Sequence, residues 1–89
     1  MEPRNIRIDP HAAERAKERG ASEREIRDVL ETGSVIPAKH GRRGRFKTYD
    51  FKQKRLGKHY EQKRVEVFYV TEGDDTVIVT VYVFYGKWE

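Results

Sequence analysis

Residues 64–85, RVEVFYVTEGDDTVIVTVYVFY, give the strongest structural signal in this chain of 89 residues. Arg64–Thr71 and Thr76–Tyr85 are rich in Val, Tyr, Phe and Thr, the residue types that are enriched in β-strands. Glu72–Asp75 lies between them and has the composition of a turn. The stretch therefore predicts an antiparallel β-hairpin.

The second strand of this hairpin is apolar on both sides. Strict alternation divides its side chains into one set of Val77, Val79, Val81 and Val83 and an opposite set of Ile78, Thr80, Tyr82 and Phe84. A strand that is apolar on both faces is typically central in its sheet and covered on at least one side. We therefore expect this strand to form the middle of the sheet.

Upstream of the hairpin, helix signals replace strand signals. Asp9 is a good N-cap, Pro10 suits the first helical position and Gly20 suits the left-handed residue that ends a helix. These residues predict a helix over Pro10–Arg19. The preceding Asn5–Ile8 fits either a short strand or an extended lead-in.

A second helix follows at once. Ser22 and Glu25 have the spacing of a capping box, and the apolar residues from Ile26 to Leu30 have helical spacing. Gly33 ends the pattern. Weaker strand signals follow at Arg45–Phe51 and Leu56–Tyr60.

Together these elements predict a fold of the α+β class. We expect residues 1–89 to form a single domain in which two N-terminal helices pack on a twisted antiparallel sheet of three to four strands.

The positive charge is concentrated in the middle of the chain. The formal net charge is only +4, yet residues 39–64 hold eleven Lys or Arg side chains against Asp50 and Glu61. Such a field favours a polyanion such as nucleic acid. A densely charged surface of ion-pair networks is the alternative, although such networks need both signs of charge.

The chain lacks the residues that several kinds of chemistry require. Cysteine is absent, and His11, His40 and His59 do not have the spacing of a zinc site. We expect no metal and no cofactor, and no phosphate-binding Gly-rich loop is present. No apolar run approaches a membrane span and Met1–Arg4 lacks a signal-peptide core, so we expect a cytoplasmic protein without a membrane partner.

The first helix carries the residues best suited to catalysis or anion binding. His11, Arg15 and Arg19 are each four residues apart, so on a helix they form one stripe. An imidazole beside two permanent cations suits an anion clamp with a general acid or base. Thr80 and Tyr82 share a face of the last strand and could add hydroxyl donors. A solvated helix face is the alternative, and both interpretations remain open.

RNA is the polyanion that such a stripe could cleave without a metal. Its 2′-hydroxyl is a built-in nucleophile, so a site needs only proton transfer and stabilisation of charge on phosphorus. The residues that we expect to bind the nucleic acid are Arg42, Arg43, Arg45, Lys47, Lys54, Arg55 and Lys58. Aromatic residues such as Phe46 and Phe68 could stack bases, although most aromatics in a small domain belong to the core.

Two motifs resemble a known family. The first is His11-Ala12-x-x-Arg15-x-x-x-Arg19-Gly20-x-Ser22, and the second is Val79-Thr80-Val81-Tyr82. Together they resemble a bacterial domain-of-unknown-function family, family 4258, over nearly the whole chain. That family is similar to RelE-like toxins and to the wider barnase, EndoU, colicin and RelE ribonuclease superfamily.

The resemblance implies a RelE-like fold and metal-independent cleavage of RNA. It also implies the role of the toxin in a toxin–antitoxin pair, with RNA and an antitoxin protein as partners. Carried onto this chain, the implied active residues are His11, Arg15, Arg19, Thr80 and Tyr82, with Arg43, Arg45 and Lys54 as further phosphate contacts.

Two rival functions stay open beside the ribonuclease. One is a nucleic-acid-binding or protein-binding module without catalysis, and the other is a protein whose hairpin edge recruits another chain by strand pairing. The sequence does not indicate an oligomeric state. The position of the His11 stripe in the fold distinguishes these functions. The ribonuclease requires the stripe to share a concavity with Thr80 and Tyr82, whereas a stripe pointing into open solvent favours the rivals.

Overall fold

The computed structural model describes residues 5–88. Met1–Arg4, where the sequence has no signal-peptide core, lie outside this range. The elements in chain order are β1 (Asn5–Ile8), α1 (Pro10–Arg19), α2 (Glu23–Thr32), β2 (Ser34–Ile36), β3 (Arg43–Arg55), β4 (Lys58–Glu72) and β5 (Asp75–Gly86). Within residues 5–88, no helix is long and apolar enough to cross a membrane.

The sheet differs from the predicted one. It has five strands in the order β1-β5-β4-β3-β2, and β1 pairs in parallel with β5 while the other pairs are antiparallel. The prediction of a RelE-like, antiparallel sheet of three to four strands is therefore wrong. Asn5–Ile8, for which the sequence left a strand and an extended lead-in open, is strand β1, and β2 has only three residues, too few to show an alternating pattern.

The predicted hairpin and first helix are confirmed. β4 and β5 pair antiparallel, and α1 has the predicted bounds. The Asp9 carboxylate accepts the backbone N–H of His11 at 2.9 Å, and Gly20 ends the helix with φ 97°. The capping box of α2 is also present, with Ser22 and Glu25 bonding each other's backbone N–H.

A β-bulge changes the orientation of β5. Phe68 pairs with Thr80 but Tyr69 pairs with Ile78, so Val79 is an extra residue on β5. Strict alternation is consequently wrong across this point, because buried Ile78 and buried Val81 lie on the same face. Beyond the bulge, Thr80, Tyr82 and Phe84 occupy the opposite face.

Both helices cover one face of the sheet. α1 packs on β5, and α2 packs on β4 and β3. Because Ala12 and Ala16 are the buried residues of α1, that helix approaches the sheet closely. The largest fully buried side chains are Ile26, Val29, Val65, Val67, Ile78 and Val81. Burial of each such side chain contributes about 1.5–3 kcal/mol. We call the face away from the helices the open face.

A buried cation ties the helices to the sheet. Lys63 is only 8% exposed, and its Nζ lies 2.9 Å from the carbonyl oxygen of Gly20 and 2.8 Å from Glu25 Oε2. Glu25 also accepts from the backbone of Ser22. One carboxylate thus holds the start of α2, while its ammonium partner binds the end of α1.

Candidate functional site

α1 places the His11 stripe beside a free part of the sheet edge. β1 pairs only with Asp75–Ile78, so it leaves the later residues of β5 without a strand on that side. The backbone N–H of Asp9 bonds the carbonyl oxygen of Ile78 at 3.0 Å, which starts α1 where this pairing ends. His11 and Arg15 are exposed and Arg19 is half-buried. The stripe therefore runs along the uncovered edge of β5.

The first concavity lies between this stripe and β5. His11, Arg15 and Arg19 line it together with Thr80 and Tyr82, and its volume is about 270 Å³. The structure therefore brings together all five residues that the sequence suggested for catalysis. The stripe therefore lines this concavity, with His11 and Arg15 still exposed to solvent.

Arg19 is held in place by the sheet. Its Nη1 donates to the carbonyl oxygen of Val81 at 2.7 Å, and its guanidinium carbon lies 5.3 Å from the ring centroid of Tyr82. The end of α1 is fixed as well, because the Tyr85 hydroxyl donates to the carbonyl oxygen of Arg19 at 2.6 Å. A guanidinium fixed through one N–H keeps further donors for an anion.

A second concavity adjoins the first. Thr80 and Tyr82 line both, and the second is completed by Phe68 and by the β2–β3 loop, which contributes Pro37, Ala38, Lys39, His40 and Arg42. Its volume is also about 270 Å³. His40 and Gly41 have φ values of 61° and 74°, and the Arg42 N–H bonds the carbonyl oxygen of Lys39 at 3.2 Å. This tight turn brings the loop to Thr80 and Tyr82. We call the two concavities together the cationic groove.

The cationic groove has one sign of charge. Four permanent cations line it, namely Arg15, Arg19, Lys39 and Arg42, and His11 and His40 add two imidazoles. No carboxylate lines either concavity within the part of the chain that the structure describes. Some cations elsewhere are paired with acids, for example Arg7 with Glu72. Such a lining favours an anionic ligand.

Two members of the stripe, His11 and Arg15, have no side-chain partners among the described residues. Among residues 5–88, no side-chain hydrogen bond or ion pair involves the His11 imidazole or the Arg15 guanidinium. Their polar atoms are therefore available to a ligand in the groove. The same fact means that no described residue fixes the tautomer of His11.

The basic stretch of residues 39–64 does not form one surface. Arg42 lines the groove, and Arg43 is exposed beside it at the start of β3. Lys54 and Lys58 lie at the β3–β4 turn, at the opposite end of strands that run for 13 and 15 residues. At about 3.3 Å per residue, these strands keep the two groups of cations far apart.

The remaining predicted binding residues have partners within the fold. Arg45 donates to the Gly33 carbonyl oxygen at 2.9 Å, and Arg55 donates to the Glu18 carbonyl oxygen at 2.8 Å. Arg55 also lies over the Tyr85 ring at 4.9 Å. Arg45 therefore joins β3 to the end of α2, and Arg55 joins it to the end of α1.

Lys47 belongs to a small network on α2. Its Nζ lies 2.8 Å from Asp28 Oδ2, and the Tyr49 hydroxyl donates to the same oxygen at 2.6 Å. The bond from Lys47, followed by that from Tyr49, lowers the pKa of Asp28. Burial, followed by the bond to Asp28, raises the pKa of the Tyr49 hydroxyl. These contacts tie β3 to α2, away from the groove.

The sequence did not single out Lys39 and His40 as site residues. Their contribution depends on a loop that folds across Thr80 and Tyr82, and spacing along the chain cannot show that approach. The dipeptide His40-Gly41 was the available signal, because both residue types tolerate the left-handed conformation that the turn uses.

Neither the cationic groove nor the rest of residues 5–88 contains a group of three or more His, Asp or Glu side chains that could hold a metal ion.

Comparison with known proteins places the chain in a family without an assigned function. The model of a family described as a domain of unknown function (DUF4258) matches residues 8–83, a range that includes both helices and most of the sheet. No curated protein and no solved structure matches the chain. The protein therefore belongs to the DUF4258 family.

Proposed function

We propose that this protein is a metal-independent endoribonuclease and that the cationic groove is its active site. The observation that carries the proposal is the lining of the first concavity, where His11, Arg15 and Arg19 face Thr80 and Tyr82. The similarity of the family that these motifs resemble to RelE-like toxins extends the proposal to a toxin role, with an antitoxin protein as partner.

The residues divide the chemistry as follows. His11 in its neutral form takes the proton from a ribose 2′-hydroxyl, and the 2′-oxygen attacks the adjacent phosphorus. The bond from phosphorus to the 5′-oxygen breaks, that oxygen takes a proton from water, and the hydroxide left behind takes the proton from protonated His11. The products are a 2′,3′-cyclic phosphate and a free 5′-hydroxyl.

Charge stabilisation comes from the two arginines. Arg15 and Arg19 lie one and two helical turns beyond His11, where their guanidinium groups can bind the non-bridging oxygens of the reacting phosphate. Arg19 is already fixed by its bond to the Val81 carbonyl oxygen, so little order is lost when a phosphate binds. The hydroxyls of Thr80 and Tyr82 can donate further hydrogen bonds.

The test is incubation of RNA with the protein in EDTA. We expect fragments with 2′,3′-cyclic phosphate ends, and His11→Ala should lower the rate about 10²-fold or more. Arg15→Ala tests the stabilisation of charge by the groove. Its matched control is Arg24→Ala, because Arg24 is exposed on α2 and outside the groove. Intact RNA, or equal cleavage by wild type and His11→Ala, would refute the proposal.

A second candidate is an RNA-binding module without catalysis. It is favoured by the absence, among the described residues, of a partner that orients the His11 imidazole, since catalytic bases are usually held by a third group. This candidate predicts salt-dependent binding of RNA without products. The same incubation distinguishes the two functions.

A further inference from the structure

The open face of the sheet carries a row of aromatic side chains along β5. Tyr82 and Phe84 are 42% and 47% exposed, and their rings are stacked with centroids 6.3 Å apart and planes at 30°. Both lie on the open face because β4 and β5 keep a regular register beyond the bulge. Singly exposed aromatic residues are common on protein surfaces, but adjacent exposed rings form a contiguous apolar patch, and such patches mark binding sites when they are large.

Trp88 extends the row beyond the end of β5. Gly86 follows Phe84 on the same face, and a Cβ at Gly86 would lie only 3.5 Å from the Trp88 indole. The indole therefore lies over Gly86, on the open face. The backbone N–H of Trp88 donates to Gln62, which anchors the ring beside the strand. We call Tyr82, Phe84 and Trp88 the aromatic row.

The aromatic row is continuous with the cationic groove. Tyr82 lines both concavities of the groove and begins the row. Phe68 packs edge-on against Tyr82 at 5.8 Å, and it also lines the second concavity. A chain of phosphates bound in the groove would therefore bring its attached groups directly onto these rings.

The chemistry of the surrounding surface favours nucleobases over an apolar protein surface. Next to the row, Arg64 lies over the Phe46 ring at 3.8 Å and pairs with Glu66 at 2.9 Å. This ion pair interrupts the apolar surface that a buried protein contact would need. Aromatic rings and guanidinium planes are the groups on which unpaired bases stack, whereas bases inside a duplex are already stacked.

We propose that the aromatic row binds the unpaired bases of single-stranded RNA whose phosphates lie in the cationic groove. This inference rests on the proposed function and adds to it the substrate class, which is single-stranded and without a required base sequence. Tyr82 and Phe84 are two residues apart on one strand face, and the Trp88 indole lies over Gly86, so the row offers stacking positions in series along β5.

The experiment measures binding without cleavage. A 2′-O-methyl oligouridine lacks the attacking hydroxyl, and Trp88 is the single tryptophan, so its fluorescence reports on the aromatic row alone. We expect this oligonucleotide to change Trp88 fluorescence. A duplex with the same number of phosphates and inorganic polyphosphate should bind without that change.

Phe84→Ala is the informative variant because Phe84 is exposed and lies outside the groove. It should weaken binding of the single strand about tenfold and leave polyphosphate binding unchanged. Leu56→Ala is the control, since Leu56 is 94% exposed at the β3–β4 turn. Thermal melting of both variants establishes that they are folded.

Three results would overturn the inference. Equal affinity of Phe84→Ala and wild type for the single strand, with RNA cleavage intact, would refute the aromatic row while the proposed function stands. Failure to bind any of the three polyanions would refute both. A dimer in sedimentation that Phe84→Ala dissociates would assign the row to a second copy of the chain.

Discussion

Removing two cations from the cationic groove should halve the salt dependence of RNA binding. The groove is lined by Arg15, Arg19, Lys39 and Arg42. For a single strand, log K falls with log salt with a slope of about −0.7 per neutralised phosphate, so four contacts give a slope of about −2.8. Affinity should then fall about 50-fold between roughly 50 and 200 mM salt. For the double variant Arg15→Ala/Arg42→Ala, the slope becomes about −1.4 and the loss about sevenfold.

The assay is fluorescence anisotropy of a labelled 2′-O-methyl oligouridine across that salt range. Lys54→Ala/Lys58→Ala is the matched control, because it removes the same charge at the far end of β3 and β4. The control should keep the slope of the wild type. An unchanged slope in the groove variant, or an equal reduction in both variants, would refute the assignment of phosphate binding to the groove.

Three predictions concern stability, each measured by urea unfolding. Lys63→Met removes the partner of Glu25 and the donor to Gly20, and it should destabilise the fold by about 3 kcal/mol. The exposed Lys52→Met is its control and should change stability little. Equal effects of the two variants would contradict the role of Lys63. Ala16→Leu should cost about 1–3 kcal/mol because Ala16 is 2% exposed between α1 and β5, and Ala13→Leu on the exposed side is its control. The pKa of Asp28 is lowered in the folded state, so its contribution to stability is present above the unfolded pKa and is lost as the pH falls through the folded pKa. Asp28→Asn should therefore be less stable at neutral pH, and its stability should decline less steeply below about pH 4. An unchanged decline of stability at acid pH would argue against the network.

Local signals predicted the elements whose structure depends on near neighbours. Asp9 caps the start of α1 and Gly20 caps its end, as expected, because capping bonds join residues a few positions apart. The β4–β5 hairpin followed from two β-rich runs joined by a turn. The alignment of His11 with Arg15 and Arg19 is a property of the helix itself, and it needed no further information.

The errors, and the choice left open at Asn5–Ile8, arose where distant segments determine the structure. β1 is a strand because its four residues pair with Asp75–Ile78 at the other end of the chain. The bulge at Val79 reverses which residues of β5 are buried, and no residue type marks it. Composition identified the basic stretch correctly, but the length of β3 separates Arg42 from Lys54, and Lys47 pairs with Asp28 on α2.

The site was predictable only where its residues lie on a single element. The stripe and the hydroxyls of Thr80 and Tyr82 each lie on one element. Their approach depends on α1 lying along the edge of β5, and the contribution of Lys39 and His40 depends on the fold of a loop. The aromatic row likewise required knowledge of which sheet face the helices leave uncovered.

The proposed activity is cleavage of RNA in the cationic groove through the 2′-hydroxyl of the substrate. The most direct measurement uses a DNA oligonucleotide with one internal ribonucleotide, incubated with the protein in EDTA and compared with the all-DNA strand. We predict a single cut after the ribonucleotide that leaves a 2′,3′-cyclic phosphate, no cut in the all-DNA strand, and loss of the cut in His11→Ala. Cleavage of both strands, or of neither, would contradict the proposed activity.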